Sequence, residues 1–128
     1  MDLDKAAEFY NDVGVAAVEQ IGDSQSRILI YAESDDGDLS VFVRYSSNDN
    51  PHVESLQNSD PVVDAVEAVW RYLSSAGPEH LWKSMEYTID YGQVNISLSY
   101  DESFAGSLPI WEKSKLLREK HFPGKEQR

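Results

Sequence analysis

Carboxylates are the chemistry-bearing groups that cluster in this chain. Glu33, Asp35, Asp36 and Asp38 crowd one short stretch, Asp49 follows close behind, and Asp101-Glu102 form a second acidic step. Such groups can ligate a cation, trade protons as a catalytic pair, or bind the positive surface of another macromolecule. Calcium is excluded by spacing. With Gly37 as the loop glycine, Ala32 falls at the first ligand position and Val43 at the last, and neither carries a carboxylate. His52, His80 and His121 lie far apart, and with no cysteine present there is no zinc-ligand pattern. Asp101 and Glu102, as neighbours on an extended chain, point to opposite sides and make a poor acid–base pair. The seven glycines are isolated, so no phosphate-cradling loop, dinucleotide fingerprint or nucleophile elbow is present. The expectation is a protein that is not an enzyme and holds no metal or cofactor. Its chemistry is charge recognition.

The charge is unevenly spread. Residues 1–111 carry 20 Asp and Glu against 5 Lys and Arg, and residues 112–128 carry 3 acids against 6 bases, giving the net −12 of the whole chain. An acidic body repels nucleic acid and anionic membrane and attracts a basic protein surface. The N-terminal MDLDKAAEFY has neither a basic nor an apolar signal region, and no stretch approaches the ~20 apolar residues of a membrane span. With no cysteine to form a disulfide, the chain reads as a cytoplasmic protein.

The elements that must position these carboxylates read as one α+β domain over residues 1–128. Asp2 caps a helix that Gly22 ends, with Gly14 weakening its middle by about 1 kcal/mol relative to Ala. Strands at 27–34 and 39–46 flank Asp36-Gly37, a hairpin signal, and 52–57 adds a short strand. Asp60-Pro61 opens a helix in which Val63, Val66, Trp70 and Leu73 recur at helical spacing, ended by Gly77-Pro78. A second hairpin joins 85–91 to 93–100 through Gly92. Its second strand alternates, predicting Val94, Ile96, Leu98 and Tyr100 inward. Pro109 opens a last helix whose cations complement the helix dipole, and residues 121–128 are expected to fray. The order α-β-β-(β)-α-β-β-α implies an antiparallel sheet of four to five strands in two hairpins, with helices on one face.

The first hairpin carries apolar groups on both faces: Leu39, Val41, Val43 and Tyr45 on one, Phe42 on the other, with Leu29 and Tyr31 opposing Ile28 and Ile30. A helix, a twin subunit or a partner must cover the second face. Aromatic anchors within a charged rim characterise protein interfaces. The expected partner-binding set is therefore Glu33, Asp35, Asp36 and Asp38 for charge, Asp101 and Glu102 as a second patch, and Tyr31, Phe42 and Trp82 as exposed anchors.

From the first helix to Trp111 the chain resembles the small bacterial immunity proteins of the YezG type (the DUF600 group). The resemblance rests on RILIYAESDDGDLSVFVRY, the central amphipathic helix, YTIDYGQVNISLSYDES, and Trp111 beside a Lys-rich C-terminal helix. It implies an antitoxin that binds and silences a cognate polymorphic toxin domain, often a nuclease, by stoichiometric occlusion. The partner would then be a toxin domain with a basic surface, with no nucleic acid or membrane involved, and the protein a monomer or a homodimer. The alternative is a small acidic secretion chaperone, of nearly the same element order, that binds an effector segment as a homodimer.

Overall fold

The computed structural model describes residues 1–22 and 26–127. Helix α1 (Leu3–Ile21) begins where Asp2 accepts the amides of Asp4 and Lys5 at 3.0 and 3.2 Å, and ends at Gly22 with φ 74°. Strands β1 (Arg27–Asp35) and β2 (Asp38–Ser46) meet at Asp36-Gly37, both with positive φ as a two-residue hairpin turn requires. After β3 (His52–Ser55) comes α2 (Asp60–Ala76), started by Pro61 and followed by a short 3₁₀ turn, Pro78–His80. Strands β4 (Ser84–Asp90) and β5 (Gln93–Ser99) join through Tyr91-Gly92, again with both φ positive. Helix α3 (Ile110–His121) precedes a final two-residue strand, β6 (Glu126–Gln127).

The α+β architecture is as expected, with a sheet larger than the four to five strands anticipated. Its six strands run β5-β4-β1-β2-β3-β6, antiparallel except for the β3–β6 pair. The C-terminal segment expected to fray is instead held. Phe122 is buried, Lys125 Nζ donates to Ser46 Oγ and the Ser47 carbonyl, and Glu126-Gln127 pair with His52-Val53. Arg128 lies outside the described residues.

Helices cover both faces of the sheet, not one. On the first face α1 and α2 bury Val13, Ala17, Val62, Val66, Val69 and Leu73 against Ile28, Ile30, Val43, Met85 and Tyr87. On the second, Leu117 of α3 and Phe122 close over Leu29, Tyr31 and Val53, with Phe42 and Phe104 packed alongside. The register explains the division, since Ile30 pairs with Val43 while Tyr31 pairs with Phe42, so adjacent pairs face opposite layers. The helix α3 is thus the cover that the two-faced hairpin demanded. Of the expected inward row of β5, Leu98 is half-buried against the first-face core and the rest is exposed. Val94 and Ile96 stay 47% and 38% exposed, because β5 is an edge strand and α1 borders it across an open groove without closing over it.

Gly14 has a reason to interrupt α1. A Cβ there would stand 2.6 Å from Tyr87 Oη, which donates to the Tyr10 carbonyl at 2.8 Å. Helix propensity alone would make Gly14→Ala stabilising by about 1 kcal/mol. We expect the opposite sign, a loss of about 1–3 kcal/mol from overpacking, read as a lower urea midpoint at unchanged slope.

Candidate protein-binding surface

The two acidic segments, more than sixty residues apart in sequence, converge. Glu33, Asp35, Asp101 and Glu102 line one cleft of about 580 Å³ together with Ser40, Lys83 and Lys113. Asp36 lies on the adjoining hollow with Tyr100 and Lys83, and Asp38 borders the next one beside Glu67 and Arg71. The hairpin turn supplies the first group of acids. The second is held by the loop after β5: the Phe104 amide donates to Ser84 Oγ at 3.0 Å, and its ring meets the Tyr31 ring at 6.2 Å, edge to face.

Within this cleft Glu33 differs from the rest. Its carboxylate accepts Lys113 Nζ at 2.7 Å, with both side chains largely buried, and Lys113 also donates to Ser103 Oγ at 3.1 Å. Glu33 therefore anchors α3 and is not a free docking charge. Asp35, Asp36, Asp38, Asp101 and Glu102 are exposed, and none of them forms an ion pair among the described residues. These five carboxylates are what the cleft and the hollows beside it offer a cation from the two acidic segments.

The aromatic anchors require correction. Tyr31 and Trp82 are 0% exposed. Trp82 belongs to the core, donating from Nε1 to Tyr10 Oη at 3.2 Å and meeting Trp70 edge-on. Tyr31 lies under Phe42 and Phe104, and burial, then the charge of Glu33, pushes its phenol pKa up. Phe42 is half-buried beneath the Arg44 guanidinium, 4.6 Å from the ring centre. The exposed apolar groups near the acids are others. Leu108 lines the cleft, Ile110 and Trp111 follow on the first turn of α3, and Tyr100 precedes Asp101. Trp111 is 67% exposed. Lys113 and Leu117, four apart, form the buried stripe of α3 and Trp111 lies off it, an arrangement that the sequence conceals because one of the two is a lysine.

The basic C-terminal segment does more than complement a dipole. Lys120 Nζ and His121 Nε2 both reach Glu86 Oε1 at 2.8 Å, and Arg27 joins the His121 carbonyl to Asp90. With Lys113 and Lys125, these contacts turn cations inward onto the sheet. The hydrogen bond from His121 leads the causes that hold the Glu86 carboxyl below its ordinary value, against the opposing pull of burial.

Searched against protein-family models the chain matches none, and no curated protein matches it in sequence. No helix among the described residues is long and apolar enough to cross a membrane.

Lys113→Ala strands Glu33 without its partner and should cost about 3–5 kcal/mol, whereas Lys113→Met with Glu33→Leu should recover most of it, measured by chemical denaturation. Glu86, with its folded pKa depressed, adds stability that is complete above the unfolded value near 4.5 and fades as pH falls through the lower folded value. Glu86→Gln should therefore flatten the stability–pH curve below about pH 4.5.

Proposed function

We propose that this protein is a cytoplasmic immunity protein that binds the basic surface of a cognate toxin domain, with a nuclease as the toxin class, and silences it by stoichiometric occlusion. One observation carries the reading: two distant acidic segments meet at one cleft, where the exposed carboxylates outnumber the cations and form no ion pair among the described residues. A nuclease must present Lys and Arg to phosphate, so a negatively charged protein surface competes for the same groups. The apolar brim of Leu108, Ile110 and Trp111 adds the desolvated contact that turns attraction into a durable complex. The inward turn of Lys113, Lys120 and Lys125 supports the same reading, since it engages these cations with the sheet and not with the exposed carboxylates of the acidic end. Steering by such a field raises association rates by roughly 10–10³-fold, which suits a guard that must act before its target does. The resemblance to YezG-type immunity proteins points the same way.

The test is binding and inhibition against a basic toxin domain encoded beside this chain. Asp35→Asn with Asp36→Asn, Asp38→Asn, Asp101→Asn and Glu102→Gln should slow association by at least about tenfold at low salt and abolish most of its salt dependence. Trp111→Ala should act mainly on dissociation. Unaltered protection by the neutralised variant would remove this end of the molecule from the interface.

A further inference from the structure

The surface farthest from the acidic hairpin in charge character is the free edge of β5. Among the described strands, Gln93–Ser99 is the one without a charged residue, and it carries no proline and no bulge in its register with β4. Edge strands are ordinarily protected by such devices, because their open backbone groups template pairing with another strand. Here one stripe of the neighbouring helix extends the neutrality, with the exposed Asp4, Glu8 and Asp12 on the stripe beside it. Leu3, Ala7, Asn11 and Val15, spaced four apart on α1, are exposed and line the apolar groove of about 520 Å³ and its continuation beside β5. Glu19, near the hairpin turn, is the single charged side chain among the groove's lining residues.

Charge selects the occupant. A basic partner is drawn to the carboxylates of the acidic end, not to a neutral edge. Two copies of this chain, each at −12, repel wherever their acids meet, and they can approach closely where no charge is displayed. Register selects the geometry. The two-residue turn makes Asp90 and Gln93 a hydrogen-bonded pair, so by alternation the backbone groups of Val94, Ile96 and Leu98 point away from β4.

We propose that this face is a homodimer interface in which β5 pairs antiparallel with the same strand of a second copy, about a two-fold axis at Ile96. Ile96 then lies opposite itself and Val94 opposite Leu98 of the partner subunit, all on the groove side. On the other side Asn95 faces Ser97 of the partner subunit. Every outward backbone group between 94 and 98 finds a mate, apolar meets apolar, and the pattern is its own complement, as an isologous contact requires. A shift of two residues centres the axis on Val94 and sets Ile96 against the turn glycine, losing the match. The paired residues 94–98 line none of the acid-bearing clefts, so the dimer proposal stands apart from the reading of those clefts as a toxin site.

Sedimentation equilibrium of the full chain tests it, with a mass of twice 14.5 kDa expected. Ile96→Lys places like charges on the axis and should return the mass to 14.5 kDa with an unchanged circular dichroism spectrum. Should that variant unfold, Ile96→Cys decides: in a chain with no native cysteine it should form a disulfide-linked dimer on mild oxidation, whereas Tyr91→Cys should not. A parent that stays at 14.5 kDa throughout the micromolar range overturns the proposal, as does one that instead captures an extended peptide along β5. A dimer indifferent to Ile96→Lys, with no cross-link formed by the Ile96→Cys variant, also overturns it.

Discussion

The Lys113 ammonium and the Glu33 carboxylate lie 2.7 Å apart at the seam between α3 and the sheet, with both side chains largely out of water. Removing two charges from solvent costs several kcal/mol per ion, and mutual attraction recovers this only with good geometry and further hydrogen bonds, here from Ser103. Such a pair contributes little net stability relative to apolar groups of the same shape, but it penalises every arrangement that separates its members. It therefore sets where α3 must lie. With α3 in place, Leu117 closes the second core, Phe104 fits against Tyr31, and the loop carrying Asp101 and Glu102 is brought to the hairpin. The acidic cleft is a consequence of that seam.

Electrostatics then divides the surface. The C-terminal helix and tail satisfy Glu33, Glu86 and the Ser47 carbonyl with Lys113, Lys120, His121 and Lys125, while Arg27 of β1 joins Asp90 to the His121 carbonyl. At the hairpin end Asp35, Asp36, Asp38, Asp101 and Glu102 remain outside these ion pairs, near an exposed Trp111. The edge strand β5 carries no charged side chain. A molecule so partitioned can present one end to a basic macromolecule while the other edge meets a neutral surface.

Much of the fold is legible in the sequence because its determinants are local. Asp36-Gly37 announces the first hairpin, Pro61 the second helix, and Phe42 opposite Val41 and Val43 shows that both sheet faces need cover. The departures share a cause. Alternation in β5 reports which side chains share a face, and it is silent on whether any helix reaches that face, so it places Val94 and Ile96 inside when they are exposed. Tyr31 and Trp82 read as surface anchors because nothing in their neighbours announces Phe104 or Tyr10, far along the chain. Lys113 reads as a dipole complement because a buried ion pair is a property of two elements. The acids of the cleft are visible in composition alone, and their meeting requires the fold.

Exposed carboxylates at the hairpin end are held here to contact a basic macromolecule. Hydrogen exchange of the chain, free and bound to a basic toxin domain of the proposed partner class, measures this directly. New protection confined to residues 33–40 and 100–111 is the predicted result. Protection elsewhere, with those two segments exchanging as in the free protein, would contradict it.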